Sequence, residues 1–262
     1  MEIETYTPSR ISHLNAEVTR ACNLRCDYCF NSSGKRLPNE LDTGEWKSVI
    51  DIAQRYGARS SLFIGGEVLV RKDSPDIIGY SLEKGLETSI LTNGYKLGEI
   101  GKNFVRGLKR VQVSLDSASP LTHDAMRGEG SWRVGRDAID FARNYDVPVE
   151  ISATVSGDRV DELEGIAGIA YATGSKVLVR PLQTTGRASM DAGRNFVKAL
   201  EKKVNQLSDA FGDIFVEDFA KYVPVLGSNH DNTVLQQGFV TVLPDGTIRG
   251  TNKKILQLEK VA

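Results

Sequence analysis

The three cysteines of the chain lie within eight residues, at Cys22, Cys26 and Cys29, in the run Cys-Asn-Leu-Arg-Cys-Asp-Tyr-Cys. Three thiolates on one short loop can bind three irons of a 4Fe–4S cubane, which leaves the fourth iron without a protein ligand. An iron with an open coordination position can bind and activate a second molecule. Because clusters that only carry electrons usually have four protein thiolates, this spacing predicts a catalytic iron–sulfur centre.

Two simpler uses of cysteine fit the sequence less well. A disulfide framework is disfavoured, because an odd number of cysteines leaves one unpaired and a chain of 262 residues needs no such cross-links. Zinc usually takes four ligands, so the loop would need a fourth ligand from elsewhere. His13, His123 and His230 are the three histidines that offer one, and a Cys3His zinc site stays open as the alternative.

The composition limits the partners of the protein. The chain carries 33 basic and 34 acidic residues, a net charge of −1, which disfavours non-specific binding to nucleic acid or to an anionic membrane. The acidic start of the sequence does not resemble a secretion signal. No apolar run reaches the roughly 18–20 residues of a membrane span. We therefore expect a protein of the reducing cytoplasm, with neither a nucleic-acid nor a membrane partner.

Short β-like runs alternate with longer amphipathic stretches, which is the pattern of βα units around a parallel sheet. The predicted strands are 14–19, 60–64, 87–91, 110–115, 149–155 and 176–180. The predicted helices are 43–56 (capped by Asp42), 74–84, 99–107, 131–145, 158–172 and 192–210. Since a closed TIM barrel has eight units, these predict an α/β partial (β/α)6 TIM-like barrel, open on one side for a large substrate. The barrel is expected to span residues 12–190, and residues 191–262 to add a helix and a short C-terminal β-hairpin.

Three of these strands have one polar and one apolar face, because their side chains alternate in type. The polar residues are Asn15, Glu17 and Thr19 in the first strand, Gln112, Ser114 and Asp116 in the fourth, and Glu150, Ser152 and Thr154 in the fifth. A structural barrel is normally filled with branched apolar side chains. The polar faces therefore predict a lumen that holds a polar ligand, with solvent-facing edge strands as the alternative interpretation.

The C-x3-C-x2-C loop after the first strand, with Tyr28 before its last cysteine, resembles the signature of the radical S-adenosylmethionine (radical SAM) superfamily. The resemblance extends from about residue 12 to 188, where Gly186-Arg187-Ala188 is similar to the loop after the family's sixth strand. It implies a partial barrel with a 4Fe–4S cluster on the three cysteines, whose open iron is chelated by SAM. It further implies that an electron from the cluster cleaves SAM to a 5′-deoxyadenosyl radical, which abstracts hydrogen from the substrate.

Further segments resemble the family's motifs at successive strand ends. Gly65-Gly66-Glu67 resembles the GGE motif, whose backbone receives the methionine amino group, although Val68 stands where the family often has proline. By the same resemblance, Ser114 and Asp116 are candidates for the ribose or methionine end of SAM and Arg127 for its carboxylate. The full set of predicted cofactor-binding residues is Tyr28, Gly65, Gly66, Glu67, Asn93, Ser114, Asp116, Arg127, Ser152 and Thr154.

Residues 238–250 predict a hairpin around the turn Pro244-Asp245-Gly246. It resembles the hairpin of SPASM and twitch extensions, where cysteines bind auxiliary iron–sulfur clusters. Here Arg249-Gly250 stands where the family usually has Pro-Cys, so we expect one cluster and no auxiliary one. A single cluster disfavours multi-electron oxidation and cysteine-quenched epimerisation, and it favours one hydrogen abstraction per event.

The sequence narrows the substrate to a polar molecule. SPASM relatives often modify peptides, which supports a ribosomal precursor peptide, and the polar lumen suits a small metabolite equally. About twenty residues precede Cys22, so neither a cobalamin domain nor a leader-binding domain is expected there. Glu17, Glu150 and Arg180, together with Lys176, are candidate substrate-binding charges, and each also suits a salt bridge at the rim.

The predicted reaction needs an external one-electron reductant of the flavodoxin or ferredoxin type. The alternative function is a non-catalytic iron–sulfur electron carrier or redox sensor. Such a protein would need neither Gly65-Gly66-Glu67 nor Ser114, and both are present.

Overall fold

The fold is a parallel sheet that curls into half of a barrel, with helices on its outer face. The computed structural model describes residues 10–182, 186–187, 194–216 and 239–249. The strands in these ranges are β1 (His13–Glu17), β2 (Ser60–Ile64), β3 (Glu87–Thr92), β4 (Arg110–Ser114), β5 (Val149–Val155), β6 (Lys176–Pro181) and β7 (Phe239–Val242). The helices there are α1 (Thr43–Arg55), α2 (Ser74–Glu83), α3 (Lys102–Gly107), α4 (Pro120–Arg127), α5 (Ser131–Asn144), α6 (Glu162–Thr173) and α7 (Arg194–Phe211). All neighbouring strands pair in parallel, in the order β6-β5-β4-β3-β2-β1-β7.

The predicted α/β half-barrel is confirmed, and each predicted strand and helix is present. β2 and β5 have the predicted bounds. The largest differences are at two helix starts, because a short 3-10 turn precedes α3 at Leu97–Glu99 and another precedes α6 at Gly157–Arg159. Asp42 caps α1 as predicted: its side chain accepts a hydrogen bond from Glu45 N, and the Glu45 side chain accepts one from Asp42 N, both at 2.8 Å.

The sequence did not predict α4, nor the pairing of β7 with the barrel sheet. α4 begins after Ser119, whose hydroxyl accepts a hydrogen bond from Thr122 N, and proline occupies its first position. β7 is the first strand of the predicted hairpin, and it joins the barrel sheet as a seventh strand beside β1. The hairpin turn is present, with Leu243 N bonded to Thr247 O at 2.8 Å. Gly250 and most of the predicted segment 191–262 lie outside the described residues.

The two faces of the sheet differ in polarity as predicted. Val111 and Val113 of β4 and Ile151 and Ala153 of β5 are fully buried on the face that α5 and α6 cover. The alternate residues form the concave face, where β4 and β5 pair Gln112 with Glu150 and Ser114 with Ser152. Within the described ranges, no helix combines the length and the apolar character needed to cross a bilayer.

Candidate active site

The three cysteines lie on a loop that connects β1 to α1 and closes on itself at its base. We call residues 18–34 the cysteine loop. Its base is a pair of backbone hydrogen bonds, from Gly34 N to Arg20 O (2.8 Å) and from Cys22 N to Gly34 O (3.1 Å). The buried Glu40 carboxylate accepts a further bond from Arg20 N at 2.7 Å. The loop therefore leaves and rejoins the sheet at a fixed point.

The cysteines themselves fit a 4Fe–4S cluster. All three are free and half-buried, and the sulfurs of Cys22 and Cys29 each accept a hydrogen bond from a backbone N–H, of Leu24 and Ser33, at 3.4 Å. Burial raises the pKa of Cys22 to about 11, so this thiol keeps its proton at neutral pH until a metal displaces it. In the described part of the chain no three His, Cys, Asp or Glu side chains surround a single-ion site. A cubane does not require that arrangement, because each thiolate binds a different iron.

The glycines after β2 pack against the cysteine loop. Gly66 N and Glu67 N donate hydrogen bonds to Thr19 O (2.8 Å) and Ala21 O (2.9 Å). A Cβ on Gly66 would lie 2.3 Å from Ala21 O, and one on Gly65 would lie 2.8 Å from Thr19 O. Both positions therefore require glycine, because any side chain there would separate the two loops. This requirement adds to the one expected from the close approach of a ligand to the backbone.

Glu67 ties the end of β2 to the end of β3. Its fully buried carboxylate accepts hydrogen bonds from the Thr92 hydroxyl (2.8 Å), Asn93 N (2.7 Å) and Leu69 N (3.1 Å). Burial raises its pKa to about 7 despite these donors. The Asn93 side chain then reaches the cysteine loop, where its Nδ2 donates to Asn23 Oδ1 at 3.0 Å. Glu67 and Asn93 are thus brought together beside the cysteines, as the sequence predicted for cofactor-binding candidates.

Asp116 joins the end of β4 to the cysteine loop. Its Oδ2 accepts hydrogen bonds from the Tyr28 hydroxyl and from Arg127 Nε (2.5 Å), and its Oδ1 accepts them from Arg127 Nη2 (3.1 Å) and Thr154 N (2.8 Å). Burial raises the pKa of Asp116, but the Arg127 guanidinium and the hydrogen bonds from Tyr28 and Thr154 together lower it by more, so the pKa lies below its ordinary value. Burial also raises the pKa of the Tyr28 phenol, to well above its ordinary value. The result is a buried ion pair with an aromatic ring over the guanidinium, 5.5 Å from the centroid.

Of the three histidines considered as metal ligands, His123 contacts the backbone of Asp116, and His13 lies at the opposite end of the strands. His123 is fully buried in α4, where its Nδ1 accepts a hydrogen bond from Asp116 N at 3.2 Å, and burial lowers its pKa to about 4. The next residue, Asp124, accepts bonds from Gly130 N and Trp132 N and so fixes the start of α5. His13 lies at the amino end of β1, bonded to Ser60, and His230 lies outside the described residues.

The concave face carries a polar network. Arg180 donates to Ser152 Oγ (2.8 Å) and Gln112 Oε1 (3.0 Å), and Gln112 Nε2 donates to Glu150 Oε2 (2.8 Å). Glu150 also pairs with Arg110 at 3.1 Å, near the amino ends of the strands and away from the cysteine loop. Ser114 and Thr154 are half-buried at the carboxyl ends of β4 and β5.

Like Glu150, two further predicted substrate charges have ion-pair partners. Lys176 pairs with Asp213 at 2.7 Å at the start of β6. Glu17 is fully buried and is bonded by Arg20 (2.9 Å), Arg249 (2.6 Å) and Asn31 (2.8 Å). Burial raises the pKa of Glu17, although both arginines oppose that rise.

Sequence reasoning assigned no role in the site to Arg187 or Arg249. Arg249 bonds Glu17 and lies over the ring of Phe30, 5.5 Å from the centroid. Arg187 donates to backbone carbonyls of the cysteine loop. The only signal for either was its place beside glycine, in Gly186-Arg187 and Arg249-Gly250.

A family model and several known proteins resemble the chain. The model of the radical SAM superfamily matches residues 16–167. The mycofactocin maturase MftC of Mycolicibacterium smegmatis is 33% identical over 67% of this chain and 46% of the maturase. The PqqA peptide cyclase of Xanthomonas oryzae pv. oryzae is 28% identical over 82% of this chain and 60% of the cyclase. The chain thus spans about half the length of the curated relatives it matches.

The fold resembles that of SuiB from Streptococcus suis. The structure of SuiB bound to S-adenosylmethionine superimposes with a TM-score of 0.77 at 15% identity, and it covers 94% of this chain and 63% of SuiB. The structure bound to the precursor peptide SuiA gives the same TM-score at 14% identity, with 96% and 64% covered. At this identity the likeness shows the fold alone.

Glu67 is expected to make stability depend on pH. Because its pKa rises from 4.5 to about 7 on folding, the folded protein keeps a proton that the unfolded chain releases. The contribution of Glu67 to the free energy of unfolding is then greatest below pH 4.5 and falls, by on the order of 3 kcal/mol, as the pH rises through 7. Urea unfolding between about pH 4 and pH 8 compares the protein with Glu67→Gln, in which this decline is absent. The exposed Glu164→Gln is the control, and parallel curves for the protein and Glu67→Gln would contradict the prediction.

Proposed function

Because the chain belongs to the radical SAM superfamily, we propose that Cys22, Cys26 and Cys29 hold a single 4Fe–4S cluster in an enzyme that modifies a ribosomally made precursor peptide. The observation that carries the proposal is the cysteine loop itself, which carries three free thiols and is held by the segments after β2, β3, β4 and β6. When bound, the cluster and SAM together supply a 5′-deoxyadenosyl radical, which abstracts a hydrogen atom from the substrate.

The residues of the chain have separate tasks in binding SAM. We assign the methionine amino group to the backbone of Gly65 and Gly66, because no donor among the described residues is bonded to either carbonyl oxygen. We assign the ribose or methionine end to Ser114, with Ser152 and Thr154 beside it on the concave face.

Asp116 and Arg127 have a different task in this proposal. Both oxygens of Asp116 are already bonded twice, so we propose that this pair positions Tyr28 and the end of β4. Glu67 and Asn93 position the ends of β2 and β3 in the same way. These four side chains therefore act on SAM through the backbone that they hold.

The names of the relatives and the polarity of the lumen support a peptide substrate. The curated relatives include a mycofactocin maturase and a PqqA peptide cyclase, and SuiB has been solved with a precursor peptide. The Arg180 guanidinium, fixed by Gln112 and Ser152, offers polar contacts on the concave face that suit a peptide backbone or a polar side chain. Since all three cysteines of the chain are assigned to one cluster, we propose one hydrogen abstraction per event.

The reductant is proposed to be an acidic electron-transfer protein that approaches the exposed side of the cysteine loop. The sides that face β2, β3, β4 and β6 are covered by the contacts described above. In and next to the loop Arg25 and Lys35 are exposed, and the Phe30 side chain is 43% exposed. The Arg25 guanidinium is held beside the cysteines by Cys22 O (2.9 Å) and Leu24 O (3.0 Å). A positive charge at this place favours encounter with an acidic partner.

Cleavage of SAM tests the proposed activity. After anaerobic reconstitution the protein is expected to bind about four irons per chain and to form 5′-deoxyadenosine from SAM and dithionite. Cys26→Ala is expected to form none above background, because one iron loses its ligand, and Ser48→Ala in α1 serves as the control. A protein with an intact cluster that cleaves no SAM would instead be an electron carrier or redox sensor. Substantially more than four irons per chain would contradict the single cluster.

Transfer of deuterium tests the proposed substrate. The candidate precursor is any short peptide found to be encoded near the gene of this chain. A deuterium-labelled form of that peptide is expected to pass its label to 5′-deoxyadenosine, because the radical abstracts hydrogen from the peptide. Mass spectrometry of the nucleoside measures the transfer, with a scrambled peptide as the control. If SAM is cleaved and the label stays in the peptide, the peptide is not the substrate.

Arg25→Glu tests the reductant. Reduction of the cluster by a flavodoxin is expected to slow by about tenfold at low ionic strength, because the substitution turns attraction into repulsion. Reduction of the variant by dithionite is measured as the loss of cluster absorbance. Its rate is expected to equal that of the parent protein. Arg133→Glu, in α5 and 86% exposed, is the matched control. An equal slowing with both reductants would show that Arg25 supports the cluster rather than the encounter.

A further inference from the structure

The half-barrel is open between its two edge strands. The segment that follows β6 contacts the cysteine loop across this opening. β6 and β7 are the edges of the sheet, and they do not pair with each other in the described residues. Gly186 and Arg187 follow β6, yet their contacts are with the cysteine loop, which follows β1 at the other side of the sheet. A contact between segments so far apart in the sheet links the two sides of the opening.

Arg187 makes this link with three hydrogen bonds. Its Nε donates to Cys26 O at 2.8 Å, its Nη1 donates to Ser33 O at 2.9 Å, and its backbone N donates to Cys29 O at 3.0 Å. The planar guanidinium fixes two carbonyls that lie seven residues apart, and a charged donor makes each bond stronger than a neutral one. Two of the three acceptors belong to the proposed iron ligands.

Gly186 allows the approach. Its φ of +70° lies in the left-handed region, and a Cβ added to it would lie 2.3 Å from Phe30 O and 2.4 Å from Cys29 O. Both are backbone atoms, which cannot move aside as a flexible side chain does. A larger residue at position 186 would therefore push the segment away from the loop and lengthen the Arg187 bonds.

We propose that Gly186 and Arg187 form a clamp that holds Cys26 and Cys29 in their cluster-binding geometry, with Arg187 as a positioning residue. Its positive charge, fixed at the carbonyls of Cys26 and Ser33 beside the proposed cluster, also raises the reduction potential of the cluster, because it stabilises the more negative, reduced state. This inference rests on the proposed cluster. Because its three bonds join protein N–H groups to backbone carbonyls and involve no sulfur atom, the clamp is expected to act on the apoprotein as well.

The loop contains a matched comparison. Arg25 also has a guanidinium bonded to two backbone carbonyls of the cysteine loop, but its acceptors, Cys22 O and Leu24 O, are three residues and one residue away. Arg25 therefore adds a charge and local bonds and no link across the opening. Arg25→Met removes the same charge and number of bonds as Arg187→Met, and only the long-range contact distinguishes the two variants.

The clamp is tested by the stability of the cluster and the access to its thiols. Relative to the parent protein, Arg187→Met is expected to lose iron to a chelator about tenfold faster, because two charge-assisted bonds are gone. Its apoprotein thiols are expected to react faster with iodoacetamide, and its cluster to have a lower midpoint potential. Gly186→Ala keeps the charge of Arg187 and is still expected to lose iron faster than the parent. The rate of iron loss from Arg187→Lys is expected to lie between those of the parent and Arg187→Met. Arg25→Met is expected to lose iron at the parent rate.

The outcomes separate the clamp from other roles. Iron loss and alkylation at the parent rate in both Arg187→Met and Gly186→Ala would overturn the inference, as would equal iron loss in Arg25→Met and Arg187→Met. Circular dichroism and thermal unfolding check that each variant is folded. If Arg187→Met does not fold, the rates of iron loss from Gly186→Ala and Arg187→Lys test the clamp instead. A parent protein that binds no cluster would refute the proposed function, whereas an unchanged variant of a cluster-bound parent refutes the clamp alone.

Discussion

The geometry of the site depends on the cysteine loop, whose conformation is fixed mainly by contacts with other segments of the chain. Residues 18–34 carry three proposed iron ligands outside any helix or strand. The backbone bonds within the loop close its base and form two turns, from Cys29 N to Cys26 O and from Ser32 N to Cys29 O. Its remaining order comes from other strand ends, through Gly66, Asn93, Asp116 and Arg187. Ordering a segment of this length costs about 1–2 kcal/mol per residue in backbone entropy, so many long-range contacts are needed to offset it. The parallel sheet supplies them because it brings all its carboxyl ends to one edge.

Buried carboxylates hold these strand ends together, and their surroundings give them different charge states. Asp116 has a guanidinium beside it and stays ionised, whereas Glu67 has only neutral donors and has a pKa of about 7. Glu17 has two arginines, and burial still raises its pKa. Removing one partner of such a pair leaves a buried charge, at a cost of about 3–5 kcal/mol. The carboxylates therefore specify the geometry of the site more than they add to the stability of the fold.

The sequence predicted the sheet well, because alternation and Gly-rich strand ends are local signals. β2 and β5 have the predicted bounds, and Asp42 caps α1. β7 was predicted only as part of a hairpin, since nothing local indicates that Val240 and Val242 complete the edge beside β1. The cysteine motif placed the site, but the partners of Asp116 and the contacts of Arg187 depend on segments 88 and 161 residues distant in the chain. Spacing along one sequence carries no record of such pairings.

The opening of the half-barrel and the geometry of the cysteine loop depend on each other, because the segment after β6 contacts the loop across the opening. A closed barrel would hold its strand ends through continuous pairing, but here β6 and β7 are edges within the described residues. The opening admits a large substrate only if the two edges stay apart, and the cysteine loop keeps its shape only if the segments after β6 and β7 reach it. Arg187 satisfies both conditions, because its long guanidinium side chain spans the distance that a strand would otherwise fill. Arg249 supports the loop from the β7 side, where it pairs with Glu17 of the adjacent strand β1 and lies over the Phe30 ring. An enzyme that needs both an open side and a rigid ligand loop gains more from such side-chain links than from an additional strand.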